Sequence, residues 1–268
     1  MVTGCSTGIG RATARALAAR NARVIATARD VSDLADLAAE GIETLALDVR
    51  DPTSVDEVLA AAGAVEIVVN NAGYGVEGAV EEVGDDDLRE QFETNVFGVW
   101  RICRGVLPGM RERASGTIVN VSSFGGQAPF PGIGAYRSSK FALEGLTWTL
   151  RLEVAHFGIR VLSVQPGLTA SQFGGSLKRG QYFDAGGAYA AMRERAAVAY
   201  ALMSPEALEP EKVAEAIVDG ITAEGTPWRI RVGDDARRMT SFVEAGVDAY
   251  ERELVEGLGF DWHPLGCV

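Results

Sequence analysis

Near the start of the chain stands the stretch Thr3-Gly4-Cys5-Ser6-Thr7-Gly8-Ile9-Gly10, followed at once by an alanine-rich helical segment over residues 11–20. Glycines let a backbone turn tightly and approach a phosphate, and the start of a helix offers unpaired N–H groups with a partial positive charge. The stretch therefore predicts a phosphate-binding turn in front of a helix. A tight turn that binds no ligand is the alternative, because a glycine-rich turn alone is a weak signal.

The segment before this turn is unusually short. A phosphate-binding turn of this kind normally follows a buried strand of about five or six residues, but only Met1 and Val2 precede it here. We therefore expect the first strand of the sheet to be nearly missing. We also expect the native chain to start upstream of Met1, or this chain to be a shortened form.

Beyond the turn, short β-branched runs alternate with longer amphipathic segments. The runs predict strands at residues 24–27, 44–47, 67–70, 118–121 and 161–164. This alternation is typical of a Rossmann-like, doubly wound α/β fold, in which helices cover both faces of a parallel sheet in three layers. We expect one domain over residues 1–268, completed by a helix at 209–223, a strand at 229–232 and a helix at 241–258. Residues 168–204 mix glycines, aromatics and charges, and we expect them to form a lid over the site.

Composition and charge exclude several classes of function. With 47% hydrophobic and 23% charged residues the chain is typical of a globular protein, and 37 acidic against 25 basic residues give a net charge of −12. This charge argues against a nucleic-acid partner. No apolar run approaches the roughly 20 residues that span a bilayer, and no signal-peptide pattern is present, so we expect a cytoplasmic protein without a membrane span. The scattered cysteines and histidines predict no metal site.

The choice of nucleotide is indicated by Ala28-Arg29-Asp30, which follows the strand predicted at 24–27. A site for NAD usually has a carboxylate at the end of this strand to bind the ribose 2′-hydroxyl. Ala28 holds that position here, and Arg29 offers five donors suited to a 2′-phosphate. We therefore expect NADP(H), with NAD(H) as the less favoured cofactor. Capping of a surface turn is the alternative role of Arg29.

Two further strand ends carry polar groups. Asp48 follows the run Leu45-Ala46-Leu47, where its carboxylate can accept from the adenine amino group, although it could instead cap the next helix. Asn70-Asn71-Ala72-Gly73 places two amides and a glycine at the end of another strand. We expect these residues to tie strands together and to let the backbone pass close to a ribose.

The catalytic chemistry is indicated by Ser123, Tyr136 and Lys140. Tyr136 and Lys140 lie four positions apart and project from one face of a helix. A phenol titrates near pH 10, so acid–base catalysis near neutrality requires stabilisation of its anion by about two to three pKa units, which an adjacent ammonium can supply. Ser123 ends a strand and can donate to a carbonyl oxygen that gains negative charge. Ser122 is the alternative donor, but it should face the other side of the strand.

Together these motifs resemble the short-chain dehydrogenase/reductase family in its compact single-domain branch, and most closely the subgroup of 17β-hydroxysteroid and retinol dehydrogenases. The resemblance implies catalytic roles for Ser123, Tyr136, Lys140 and Asn95, the last holding a water that links Lys140 to solvent. It also implies that NADP(H) contacts Gly4, Ser6, Thr7, Gly8, Ile9, Gly10, Arg29, Asp48, Val49, Asn71, Ala72, Gly73, Tyr136, Lys140, Pro166 and Gly167. It further implies a homodimer or homotetramer built from the helices around residues 87–112 and 135–157.

The leading hypothesis is thus an NADP(H)-dependent oxidoreductase that interconverts a secondary alcohol and a ketone or aldehyde. The alternatives are a non-catalytic NADP-sensing or scaffold protein, and a nucleotide-sugar epimerase or dehydratase, which shares a Tyr-x-x-x-Lys pair. Aromatic residues expected to border the site favour an apolar substrate of lipid, steroid or polyketide type. They are Phe124, Phe130, Phe173, Tyr182, Phe183 and Tyr189.

Overall fold

A parallel sheet runs through the centre of the computed structural model, which describes residues 1–170, 177–203, 207–223 and 225–259. Within these ranges the strands are β1 (Ile25–Ala28), β2 (Glu43–Ala46), β3 (Ile67–Asn70), β4 (Val76–Glu77), β5 (Gly116–Val121), β6 (Ile159–Pro166), β7 (Lys178–Arg179) and β8 (Arg229–Val232). Strands β3, β5, β6 and β8 are neighbours in that order, β2 pairs with β1, and every pairing is parallel. Strands β4 and β7 form a separate parallel pair beside the site.

Residues Met1 to Thr3 join the two halves of the sheet. Val2 forms bridges to Ala26 on one side and to Val69 on the other. Its N–H donates to the Ile25 carbonyl at 2.8 Å, and its side chain is fully buried. The position between β1 and β3 is therefore occupied by a segment of about three residues, in agreement with the predicted near-absence of a first strand.

Helices cover both faces of the sheet, and those that pack on it present an apolar stripe to it. Within the described ranges they are α1 (Gly8–Ala18), α2 (Ala35–Ala39), α3 (Pro52–Ala62), α4 (Asp85–Phe92), α5 (Gly98–Glu112), α6 (Gly134–Val154), α7 (Ala190–Met203), α8 (Pro210–Thr222), α9 (Asp234–Ala245) and α10 (Val247–Arg252). One core joins the sheet to α3, α5 and α6, and a second joins it to α1 and α8. The predicted three-layer Rossmann-like fold is confirmed.

The C-terminal region differs from the prediction of one helix at 241–258. Its first helix, α9, begins earlier, at Asp234, and the helical path is interrupted at Gly246, whose φ of 119° is left-handed. A π-helical turn at Glu253–Gly257 follows α10. These elements and α7 form a third core with Phe124 and Phe130, so the segment from Ala236 to Leu258 packs against the segment after β5. In the part of the chain that is described, no helix is both long and apolar enough to cross a bilayer.

Candidate active site

The glycine-rich turn connects the centre of the sheet to α1 and is fastened to the end of β3. Gly4 and Gly8 have left-handed φ values of 70° and 56°. The Asn71 side chain donates to the carbonyls of Thr3 at 3.0 Å and Gly4 at 2.9 Å. The first N–H groups of α1 therefore face outward at the carboxyl edge of the sheet, where an anion can bind.

Gly10 has a different role from the other glycines of the turn. It lies inside α1, and a Cβ placed there would overlap the Asn71 amide nitrogen and the Gly4 carbonyl oxygen. Gly10 thus permits the close approach of α1 to Asn71. Gly10 is predicted to contact the cofactor; it lies outside the cavity lining, and this contact stays a prediction.

We expect Gly10→Ala to lower the free energy of unfolding by about 1 to 3 kcal/mol, because the added methyl must displace the groups that fasten the turn. Gly145→Ala is the matched control: Gly145 also lies inside a helix, α6, and nothing lies within 4 Å of the position that an added methyl would take, so helix propensity should stabilise it by roughly 0.5 to 1 kcal/mol. Urea unfolding of both variants measures the difference. Equal stability of Gly10→Ala and the unsubstituted protein would show that the overlap is relieved without cost.

A cavity of about 850 Å³ runs along the carboxyl ends of the strands. Of the residues predicted to form the site, those that line it are Gly4, Ser6, Thr7, Gly8, Ile9, Arg29, Asp48, Val49, Asn71, Ala72, Gly73, Ser123, Tyr136, Lys140, Pro166 and Gly167. Asn95, like Gly10, lies outside the lining. Residues separated by up to 163 positions in the chain are thus brought to one crevice, as expected for a doubly wound fold.

Ser123, Tyr136 and Lys140 form a compact group in this cavity. Ser123 follows β5 and caps a short 3₁₀ turn, since its hydroxyl oxygen accepts from the Gly125 N–H at 3.0 Å. The same hydroxyl hydrogen-bonds to the Tyr136 phenol. The Lys140 ammonium donates to the Val121 carbonyl at 2.9 Å, and its Nζ lies 5.8 Å from the centroid of the Tyr136 ring.

Burial dominates the ionisation of both groups on α6. It raises the pKa of the Tyr136 phenol, while the hydrogen bond with Ser123 and the charge of Arg137 act in the opposite direction. Burial lowers the pKa of Lys140 to about 8, and the Glu144 carboxylate opposes this shift. We expected the Tyr136 pKa to be lowered. The direction differs because the cavity removes water from the phenolate more effectively than nearby cations stabilise it.

Asn95 lies in a π-helical turn at Glu93–Phe97, a type of distortion that is frequent at functional sites. Its amide nitrogen donates to the Tyr74 carbonyl and to the Ser139 hydroxyl, both at 3.0 Å. Ser139 in turn donates to the Tyr136 carbonyl at 2.7 Å. Asn95 therefore connects to the helix that carries Tyr136 through Ser139, with its side chain buried. The implied role in holding a water beside Lys140 stays a prediction.

The end of the cavity near β1 and β2 carries charged groups. Arg29 is exposed, lines the cavity and makes no hydrogen bond or ion pair with another described residue. The adjacent turn is capped by Asp30, which accepts from the Ser32 N–H at 2.9 Å, so the alternative capping role of Arg29 is not what the structure shows. Asp48 pairs with Arg50 at 2.7 Å, and this bond lowers the pKa of the Asp48 carboxyl.

The alternative role of Asp48 as a helix cap is also not observed. Helix α3 is capped instead by Asp51, whose side chain accepts from the Thr53 N–H at 2.9 Å. Arg50 also lines the cavity, although it is not among the site residues predicted from the sequence. Its spacing from Asp48 could have predicted it as a site residue, because a short loop at the end of a strand brings residues two positions apart close together.

The opposite end of the cavity is less aromatic than predicted. Phe124 lines it, whereas Phe130 lies behind the lining. Tyr182, which is 61% exposed, does not line the cavity. Neither does Phe183, which stacks on Arg179 and Arg193, nor Tyr189, which hydrogen-bonds to Glu81. Phe173 lies outside the described residues. Several residues that line this end are not among those predicted from the sequence, namely Ile133, Arg137, Leu168, Lys178, Arg193 and Tyr200.

Among the described residues no group of His, Cys, Asp and Glu side chains could hold a metal ion. The two described cysteines, Cys5 and Cys103, are buried thiols, and burial raises the pKa of each to about 12. Both therefore stay protonated near neutral pH. The chemistry that the cavity offers is accordingly that of Ser123, Tyr136 and Lys140.

Comparisons with known proteins agree with this geometry. A family model described as short chain dehydrogenase matches residues 1–181. Oxidoreductase BOA17 of Botryotinia fuckeliana is 34% identical over 248 residues, 88% of each chain. A 3-ketodihydrosphingosine reductase of Bacteroides thetaiotaomicron is 32% identical over 237 residues, 87% of each. The crystal structure of a short-chain dehydrogenase from Streptomyces avermitilis has a TM-score of 0.81 and 41% identity, covering 95% of this chain and 94% of that one.

Two further solved structures concern the cofactor. The closed form of a serine dehydrogenase was solved with NADP⁺; it has a TM-score of 0.74 and 26% identity, and the match covers 87% of this chain and 94% of that one. A 3-ketoacyl-(acyl-carrier-protein) reductase from Brucella melitensis was solved with NADH; it has a TM-score of 0.75 and 25% identity, covering 88% and 96%. Structural neighbours of this chain thus bind either nicotinamide nucleotide.

Proposed function

Because this chain belongs to the short-chain dehydrogenase family, we propose that it is an NADP(H)-dependent oxidoreductase that interconverts a secondary alcohol and a ketone or aldehyde. The observation that carries the proposal is the meeting of Ser123, Tyr136 and Lys140 in the cavity that begins at the glycine-rich turn. Proton transfer and a place for a dinucleotide are both needed for this reaction, and the cavity contains residues suited to each.

The residues of the cavity fit a dinucleotide. A Cβ at Gly4 would lie 2.7 Å from the Ala72 Cα, so the backbone there leaves room only for a glycine, as in a turn that meets a pyrophosphate. Ser6, Thr7, Gly8 and Ile9 would hold the phosphates at the start of α1. The adenosine half of the dinucleotide would contact Arg29, Asp48 and Val49. The nicotinamide half would contact Asn71, Ala72, Gly73, Lys140, Pro166 and Gly167.

In this proposal each of the three residues has one task. The bound nicotinamide supplies or accepts the hydride. The Tyr136 phenol gives its proton to the carbonyl oxygen in reduction and takes it back in oxidation. Ser123 donates to the oxygen as negative charge develops, and the Lys140 ammonium stabilises the phenolate that remains on Tyr136. Asn95 positions α6 through Ser139.

The assay that tests the proposal is NADPH oxidation, followed at 340 nm, against a panel of ketones and aldehydes with apolar substituents. Turnover of members of the panel is the expected result. Tight NADPH binding without turnover of any carbonyl would favour the alternative, a cofactor-sensing or scaffold protein. An apolar substrate is supported by Phe124, Ile133 and Leu168 in the lining and by the name of the relative that reduces 3-ketodihydrosphingosine.

The preference for NADP(H) over NAD(H) depends on Arg29. We expect Arg29→Ala to lower kcat/KM with NADPH by about 10- to 100-fold and to change kcat/KM with NADH by less than about threefold, because a charge-assisted hydrogen bond to the 2′-phosphate contributes roughly 1.5 to 3 kcal/mol. Arg20→Ala is the control, since Arg20 is an exposed arginine that pairs with Asp219 away from the cavity. Equal losses with both nucleotides, or better use of NADH by the unsubstituted protein, would contradict the assignment.

We also propose that the chain forms a homodimer or homotetramer in the cytoplasm. The support is a set of large apolar side chains exposed on the helices around residues 97–112 and 134–154, since aromatic side chains are enriched at interfaces between protein chains. They are Phe97, Trp100, Phe141, Trp148 and Leu152. We further propose that residues 168–170 and 177–203 act as the substrate lid, because Leu168, Lys178 and Tyr200 in these ranges line the cavity; residues 171–176 and 204 of the predicted lid lie outside the described residues.

A further inference from the structure

Arg137 is a buried cation beside the proposed catalytic tyrosine. Only 5% of the residue is exposed, yet its side chain lines the cavity that contains Tyr136. The guanidinium stacks on the Phe124 ring, 4.6 Å from the centroid. One terminal nitrogen donates to the Ala128 carbonyl at 2.9 Å and the other to the Tyr200 hydroxyl at 3.3 Å.

The charge of Arg137 is not balanced by a carboxylate of any described residue. The two other cations at this end of the cavity are balanced: Arg193 pairs with Glu82 at 2.8 Å, and Lys178 pairs with Asp87 at 2.8 Å. The Nε of Arg137 has no hydrogen-bond partner among the described residues. Each terminal nitrogen uses one of its two N–H bonds, so donors remain for a ligand.

A buried guanidinium without a counter-charge is unfavourable unless an anion joins it. The protein has a net charge of −12, so this cation is not part of a generally basic surface. Arg137 also follows Tyr136 directly on α6, and both side chains reach the same cavity. A single molecule could therefore place its carbonyl at Tyr136 and an anionic group at Arg137.

We propose that Arg137 binds a carboxylate carried by the substrate, so that the enzyme acts on keto acids or hydroxy acids with an apolar body. This inference rests on the proposed function for the site at which it acts. The planar guanidinium has parallel N–H donors whose spacing matches the two oxygens of a carboxylate. Phe124, Ile133 and Leu168 add apolar surface to the lining of the same cavity. The carboxylate would supply the counter-charge that the described residues do not.

The test compares 5-oxohexanoate and 4-benzoylbutyrate with their methyl esters, which have the same carbonyl without the charge. We expect the unsubstituted enzyme to prefer at least one acid over its ester by tenfold or more in kcat/KM. Arg137→Met should abolish this preference, because kcat/KM for the acid should fall by about 100-fold more than kcat/KM for the ester. Arg151→Met, on the same helix but outside the cavity lining, is the control.

Two results would overturn the inference. One is an unsubstituted enzyme that reduces esters as well as acids or better. The other is an equal loss for acid and ester in Arg137→Met with a shifted pH profile, which would assign the charge of Arg137 to the Tyr136 phenol. If Arg137→Met does not fold, as judged by its circular dichroism, Arg137→Lys replaces it: a point charge should weaken the preference for the acid about tenfold without affecting the ester.

Calorimetry with 4-phenylbutyrate, a carboxylate without a carbonyl, separates this inference from the proposed function. Binding that Arg137→Met abolishes, in a protein that turns over no carbonyl, would support the carboxylate site and contradict the proposed reaction. Turnover of neutral ketones in a protein that neither binds 4-phenylbutyrate nor prefers acids would support the reaction and refute the carboxylate site.

Discussion

Tyr136→Phe is expected to lower kcat for carbonyl reduction by about 10³-fold while NADPH affinity changes by less than about threefold. The substitution removes one oxygen and leaves the ring, which is buried in the cavity, in place. Acid–base catalysis by a positioned side chain contributes about 10² to 10⁴ in rate, and the phenol is the group that hydrogen-bonds to Ser123 at the centre of the cavity. Single-turnover kinetics and fluorescence titration with NADPH measure the two quantities separately.

The matched control for this substitution is Tyr182→Phe, because Tyr182 is 61% exposed and does not line the cavity. It should retain the kcat of the unsubstituted protein within a factor of about two. If Tyr136→Phe retained more than a tenth of kcat, Tyr136 would not be the group that transfers the proton. A loss of NADPH affinity equal to the loss of rate would instead assign Tyr136 to cofactor binding alone.

The sheet could be predicted from the sequence because its signals are local. The largely β-branched run at 67–70 coincides with the mostly buried strand β3, and buried strands of a parallel sheet favour such residues. The alternating run Arg229-Ile230-Arg231-Val232 coincides with β8. The helix break at Gly246 was missed because glycine inside a helical pattern is ambiguous until its φ is known. The start of α9 at Asp234 follows a strand after a single residue, which the periodicity of residues 241–258 did not reveal.

The candidate site was predicted where its residues end strands or face one side of a helix. Tyr136 and Lys140 follow from their spacing, and Ser123 follows from its place after β5. Arg137 was missed because a charged residue on a helix is normally solvated, and its burial depends on contacts with Phe124, Phe130 and the distant Tyr200. The direction of the Tyr136 pKa shift was missed for the same reason, since burial arises from the whole fold.

Lys140→Met is expected to lower kcat by about 10²-fold. Lys140 Nζ lies 5.8 Å from the centroid of the Tyr136 ring, and an opposite charge within about 4 to 6 Å typically shifts a pKa by about one to three units. Without the ammonium, the phenolate left after proton transfer loses this stabilisation. Lys212→Met is the control, because Lys212 is exposed on α8. An unchanged kcat in Lys140→Met would exclude electrostatic support of Tyr136.

The same substitution should change how stability depends on pH. The pKa of Lys140 is about 8 in the folded protein, because burial disfavours the ammonium, and its ordinary value is 10.5. Below pH 8 the lysine is protonated in both states, and the cost of burying its charge is fully present. Between pH 8 and 10.5 the unfolded chain keeps a proton that the folded protein has released, so folding becomes more favourable as pH rises.

Relative to Lys140→Met, the unsubstituted protein should therefore gain roughly 2 kcal/mol in free energy of unfolding between pH 7 and pH 10. Urea unfolding of both proteins at the two pH values measures this gain. Contributions to stability from groups that titrate equally in both proteins cancel in the comparison. Glu144 and Tyr136 face Lys140, and both are present in each protein. A difference that is constant with pH would mean that Lys140 keeps its ordinary pKa. Because Lys140 is 6% exposed, that result would require water or an anion beside its ammonium.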